Sequence, residues 1–180
     1  MISVEYSETF RQFKNTVDRE IGGITRSSRK ASRLKFPLDL EIRPHLESIT
    51  NIPFVTTTAS CEGHTLQKGP KIVVTPGFLD LIVDDSRAGQ IFIQKLRRFS
   101  EAHGGEVAAF GAGGSGALNP VADKGSEQEK KLAMRVNFLS AESLQKRGKY
   151  FKPAVAKELD ARRKKFRELL LGFFRQHEQW

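Results

Sequence analysis

The chain of 180 residues has one cysteine, one tryptophan, two tyrosines and two methionines. One cysteine cannot form an internal disulfide, and a free thiol fits a reducing compartment, so a cytoplasmic protein is expected. With tryptophan and tyrosine scarce, thirteen phenylalanines must supply the bulk of the core. No apolar run approaches the ~20 residues needed to cross a bilayer, so no membrane partner is expected. The first ten residues are polar and carry acids, unlike a signal peptide. A structural zinc site needs several ligands in a spaced pattern. Beyond the lone Cys61, His45 and His103 are remote and unpatterned, so no metal is expected.

What the chain does have is positive charge. Thirty Lys and Arg against 21 Asp and Glu give a net charge of +9 and a pI of about 9.8. A balance of that sign favours an anionic partner, with nucleic acid the commonest. The basic loop of residues 24–37 carries Arg26, Arg29, Lys30, Arg33 and Lys35 among small polar residues. These five are the candidate phosphate contacts; a solvated linker is the alternative. Ala161 to Arg167 is a second basic run, on a predicted helix. Its ordinary role is a solvated face.

Helical periodicity predicts a helix from Ser7 to Ile21, with Phe10, Phe13, Val17 and Ile21 inward and Gly22-Gly23 at its end. Pro37 to Asn51 is ambiguous; a short helix capped by Asp39 is favoured. Ile52 to Thr57, β-branched and aromatic, predicts a strand. Lys71 to Thr75 and Phe78 to Asp84 predict two more, with Pro76-Gly77 as the turn between them. Arg87 to His103 predicts an amphipathic helix, with Ile91, Leu96 and Phe99 inward and Gly104-Gly105 at its end. Strands follow at Glu106 to Phe110 and Lys131 to Leu139. Ser143 to Trp180 reads as helix, split at Pro153, with Val155, Leu159, Phe166, Leu170 and Phe173 facing the core. The order predicts a single α+β domain over residues 1–180, with a mixed, mainly antiparallel sheet and a long C-terminal helix.

Gly111-Ala112-Gly113-Gly114-Ser115-Gly116 matches the glycine pattern of dinucleotide-binding turns. No apolar helix follows, because Pro120, Asp123 and Gly125 stand where it should begin. Residues 111–128 are therefore expected to be a flexible glycine-rich loop.

Chemistry concentrates at Thr56 to His64, Thr-Thr-Thr-Ala-Ser-Cys-Glu-Gly-His. A strand end followed by glycine sets side chains on a loop carried by a rigid scaffold. His64 lies three residues after Cys61 and can approach it in a turn, where a neighbouring imidazole raises the thiolate fraction. Cys61, His64 and Ser60 are the candidate catalytic residues. Gly63 lets its backbone approach a ligand closely, and Thr58 adds a hydroxyl; both are candidate cofactor contacts. A buried, inert Cys61 is the competing reading.

Asp39, Ile42, Ile49 and Asn51, followed by Phe54 to His64, resemble the wybutosine-synthesis tRNA methyltransferase family. Ser60, Cys61 and Gly63 match its serine-cysteine-serine-glycine-arginine motif; Glu62 and His64 replace its second serine and its arginine. Phe78 to Val83, the helix from Arg87 and the strands at Val107 and Leu132 resemble its later elements, so the likeness spans about Asp39 to Ser140. The resemblance implies an S-adenosylmethionine-dependent methyltransferase in tRNA processing, with RNA as partner. Two other classes stay open: a non-catalytic nucleic-acid-binding protein, and a small-molecule or nucleotide-binding hydrolase-like module with His64 as acid–base.

Overall fold

The computed structural model describes residues 8–26, 41–109, 131–145 and 150–179. In chain order the helices are α1 (Glu8–Arg26), α2 (Arg43–Thr50), α3 (Arg87–His103), α4 (Ala141–Gln145) and α5 (Pro153–Gln176). The strands are β1 (Val55–Cys61), β2 (Thr65–Lys68), β3 (Lys71–Val74), β4 (Phe78–Asp84), β5 (Glu106–Ala109) and β6 (Lys131–Asn137). The fold is α+β. A four-stranded sheet runs in the order β1-β4-β6-β5, and β2 and β3 form a separate hairpin. Every paired strand is antiparallel to its neighbour. β4 and β5 therefore run in the same direction, with β6 inserted between them and α3 as the crossover, a split βαβ unit.

Alternation along the central strands creates two unlike faces. Leu79, Leu81 and Val83 of β4 and Met134 and Val136 of β6 are buried on one face. There they meet α2, α3 and α5 in one apolar core. Phe92 of α3 stands at the centre of its rings, 5.8 Å from Phe54, 5.7 Å from Phe173, 6.5 Å from Phe174 and 5.6 Å from His177. A second, smaller cluster joins Val74, Leu139 and Phe151 to Ala156 and Leu159 of α5. α1 lies against β1, where Thr56 Oγ1 donates to Asp18 at 3.0 Å and Lys14 Nζ donates to Asp18 at 2.6 Å. Among the described residues no helix is long and apolar enough to cross a membrane.

α3 begins and ends where the sequence predicts. Ser86 Oγ caps it by accepting from the Gly89 N–H at 3.3 Å, and Gly104, at φ 80°, closes it. Pro153 stands in the first turn of α5, where its missing N–H costs nothing.

Several boundaries differ. α1 runs on through Gly22-Gly23 to Arg26; glycine weakens a helix by about 1 kcal/mol per residue without forbidding it. α2 has Ile42 as its N-cap, with no side-chain cap bond, rather than Asp39. Pro44 must sit in the first turn, which moves the start to Arg43. β1 starts at Val55, later than expected, and continues four residues beyond Thr57, because β4 pairs with it as far as Cys61. Ile91 is exposed; Phe92 and Ile93 take the inward positions. Pro76-Gly77 is not a hairpin turn, since β3 pairs with β2 and β4 pairs with β1 and β6. β2, exposed along its whole length, carries no apolar pattern that would announce it.

Candidate functional site

β1 delivers the motif to one end of the sheet. Val55, Thr56 and Thr57 pair with Val83, Ile82 and Leu81. A bulge at Thr57/Ala59 leaves Thr58 out of register, and Ala59, Ser60 and Cys61 then pair with Asp80, Leu79 and Phe78. The Thr57 hydroxyl is tied down, donating to the Asp80 carbonyl at 2.8 Å. Thr58 and Ser60 stay half-buried.

The chain then folds back on itself. Gly63 has φ 81°, a left-handed conformation that side chains disfavour. Its N–H donates to Cys61 Sγ at 3.4 Å, and His64 Nε2 lies 3.6 Å from the same sulfur. Cys61 is half-buried and His64 exposed, so the thiol–imidazole pair reaches the surface. Thr75 clamps the far side: the His64 N–H donates to Thr75 Oγ1 at 2.6 Å, and the Thr75 N–H donates to the His64 carbonyl at 2.8 Å.

α5 holds this turn from below. Arg163 Nη1 donates to the Thr75 carbonyl at 2.7 Å, and its Nη2 bonds Asp160. Asp160 also accepts from Thr65 Oγ1 at 3.5 Å. One turn further along, Arg167 Nη1 reaches the Glu62 carbonyl at 3.5 Å and the guanidinium pairs with Glu41. Both arginines are buried. There is no spare room: a methyl group on Gly63 would come within 2.7 Å of Gly77 N and 2.8 Å of Arg163 Cδ. Gly77, at φ 71°, closes the other side, where a methyl group would lie 2.6 Å from the Glu62 carbonyl.

The basic run of α5 is thus only partly a solvated face. Arg162, Lys164 and Lys165 are exposed, while Arg163 and Arg167 turn inward and fix the motif. Helical phase explains the division: positions 159, 163, 166, 167 and 170 share the buried stripe. Charge alone does not announce a buried arginine. The signal lies in the spacing of Arg163 and Arg167 relative to Leu159, Phe166 and Leu170.

Of the three candidate catalytic residues, the fold brings Cys61 and His64 together. Ser60 pairs with the core residue Leu79, whereas Cys61 pairs with Phe78, so successive side chains place Ser60 and Cys61 on opposite faces. Gly63 shapes the turn through its φ and its N–H contact with the sulfur. Arg26 is the last residue of α1. Arg29, Lys30, Arg33 and Lys35 lie outside the described residues, as does the glycine-rich segment 111–128. The strands on either side of that segment, β5 and β6, pair antiparallel, which is incompatible with a dinucleotide-binding βαβ turn. Among the described residues no group of three His, Cys, Asp or Glu could hold a metal.

The face that carries Cys61 holds a further set of polar side chains. Arg135 of β6 forks onto Asp80 of β4, with Nε to Oδ1 at 2.6 Å and Nη2 to Oδ2 at 2.7 Å. The guanidinium carbon sits 4.0 Å from the centre of the Phe78 ring. The hydrogen bond with Asp80 raises the Arg135 pKa further above its already high value, so it is a permanent cation. The visible signal was an acid and a base in mid-strand, in Phe78-Leu-Asp-Leu and Ala133-Met-Arg-Val, both out of phase with the buried positions.

No family profile and no curated protein matches the chain. Among solved structures, the PH1069 protein from Pyrococcus horikoshii superposes with a TM-score of 0.49 at 14% identity, over 94% of this chain and 97% of that one. Neither finding assigns an activity.

Proposed function

We propose that this protein is a nucleic-acid-modifying enzyme, an S-adenosylmethionine-dependent RNA methyltransferase acting on tRNA in the cytoplasm. The observation that carries the reading is the thiol–imidazole pair, Cys61 Sγ to His64 Nε2 at 3.6 Å, on a rigid turn that reaches the surface. The resemblance of Ser60, Cys61 and Gly63 to the wybutosine-synthesis motif supplies the reaction class. The net charge of +9 supplies the partner class.

The donor set suits such a cofactor: Thr58, freed from the register by the bulge, and Gly63, beneath the thiol, lie within the same turn-and-strand-end segment. When bound, S-adenosylmethionine supplies an electrophilic methyl group. His64, exposed and with Nε2 against the sulfur, can take a proton from the nucleophilic atom of the base through its other ring nitrogen. Cys61 orients that ring. Arg26, Arg29, Lys30, Arg33 and Lys35, together with exposed Arg162, Lys164 and Lys165, hold phosphates.

The test is transfer of labelled methyl from S-adenosylmethionine to unmodified tRNA, with cofactor binding followed by calorimetry. Label should enter the RNA, and His64→Ala should lower the rate by roughly 10²-fold or more. RNA affinity should fall steeply as salt rises. Absence of cofactor binding at millimolar concentration, with and without RNA, overturns the proposal. Salt-dependent RNA binding indifferent to Cys61 and His64 would identify a non-catalytic RNA-binding protein instead.

A further inference from the structure

We infer that the sheet face carrying Cys61 is a stacking platform for a single unpaired RNA base, with the Arg135 guanidinium as its centre. The inference deepens the reading above by naming where the substrate base sits, and rests on it for the class of ligand.

One row across the face reads Ala59, Asp80, Arg135, Ala108, in register from β1 to β5. The two alanines flank a charged pair and leave a shallow recess above the strands. Asp80 is the buried anchor, its side chain 10% exposed, while the Arg135 side chain remains 29% exposed. Phe78 packs the guanidinium from one side at 4.0 Å, so the plane of Arg135 is fixed by a carboxylate fork and a ring together. A guanidinium held flat on a surface is what single-stranded RNA bases stack upon, since its plane matches theirs and its charge attracts their π faces. Phe78 is also the cross-strand partner of Cys61. The platform therefore adjoins the thiol–imidazole pair within one side-chain spacing.

The face is not built for packing. A core face would hold apolar residues in phase with the strands, as Leu79, Leu81 and Val83 do on the other side. Here an ion pair occupies the centre of the sheet between two small residues. The chain's net positive charge selects an anionic polymer as the ligand that carries the base.

The experiment uses the full chain without cofactor and a short single-stranded RNA carrying one 2-aminopurine. Stacking quenches that base, and fluorescence anisotropy of a dye at the RNA end reports binding separately. The protein should quench the base on binding. Arg135→Lys keeps the charge and the bond to Asp80 but loses the planar fork. Phe78→Leu removes the supporting ring and leaves the ion pair. Each should recover at least half of the fluorescence while the binding midpoint moves less than threefold, with thermal melts confirming the fold; if one variant fails to fold, the other decides. RNA binding without quenching, or quenching unchanged in both variants, overturns the platform and leaves methyl transfer standing as a separate question. Absence of RNA binding overturns both.

Discussion

On one face of the sheet Leu79, Leu81, Val83, Met134 and Val136 lie under three helices and a cluster of phenylalanine rings. On the other, the same two strands present Phe78, Asp80 and Arg135, joined by a carboxylate–guanidinium fork and a ring contact. The first face is stabilised by area removed from water, which is non-directional and tolerates many apolar solutions. The second is held by a few directional contacts, each requiring a particular atom at a particular place. The difference teaches that stability and chemistry have been assigned to opposite sides of one sheet. The strand period of two makes that separation possible without cost to either.

The comparison can be broken most directly with a matched pair of ring deletions. Phe92→Ala, at the centre of the covered face, should lower unfolding free energy by about 3–5 kcal/mol. Phe78→Leu on the other face should cost less than about 1.5 kcal/mol. Urea denaturation of both decides; equal losses would show that the second face is core after all.

The next effect concerns the arginine beneath the turn. Arg163→Met leaves the Thr75 carbonyl and Asp160 without their buried donor, and should cost roughly 2–3 kcal/mol. It should also slow the reaction of Cys61 with a thiol probe near neutral pH, as the turn loosens. Arg163→Lys should restore part of the rate, because a cation still reaches the carbonyl. A Cys61 rate and pH profile unchanged in the folded methionine variant would reduce Arg163 to a packing residue.

Gly63→Ala should be somewhat milder, about 1–3 kcal/mol, from a left-handed backbone and contact with Gly77 and Arg163. Its signature is a changed thiol pH profile, since Cys61 and His64 separate when the turn shifts. Calorimetric melting beside thiol titration would show whether stability and reactivity move together; a loss of stability alone would detach the turn from the chemistry.

The smallest expected effect is the dependence on pH of the helical side. Burial pushes both His45 and His177 below the ordinary histidine range, against backbone hydrogen bonds that raise them. His45 Nε2–H donates to the Arg167 carbonyl at 2.7 Å, and its Nδ1 is buried without a partner. Charging that ring would add a buried donor with nothing to bond. A folded-state pKa below the unfolded value near 6.5 gives stability that is full above that value. It declines as pH falls from there through the folded pKa. Urea midpoints should therefore drop between pH 7.5 and pH 5, and His177→Phe should flatten part of the decline. A wild-type midpoint that stays level across that interval would remove both histidines from this role.

The sequence by itself determined the local elements whose signals are local. The apolar phase of α3, its Ser86 cap and its Gly104 stop lie within one stretch of chain. Pro153 divides the C-terminal helices through its own missing N–H. The alternation of β4 and β6 likewise marks their buried faces, and the order of elements implied α+β. The nearness of His64 to Cys61 followed from a spacing of three residues and one glycine. Tertiary structure decided the rest. β1 extends through Thr58 to Cys61 because β4 lies beside it, and no property of those small polar residues requires it. Ser60 and Cys61 fall on opposite faces because of a bulge that only the pairing reveals. Arg163 and Arg167 belong to the motif because α5 passes beneath a turn a hundred residues away in the chain, by about that order. Asp80 and Arg135 meet because β4 and β6 are neighbours in a register set by the core on the other side. Contacts between distant segments depend on which strands pair and in what phase, and that is fixed by burial of the whole apolar set at once.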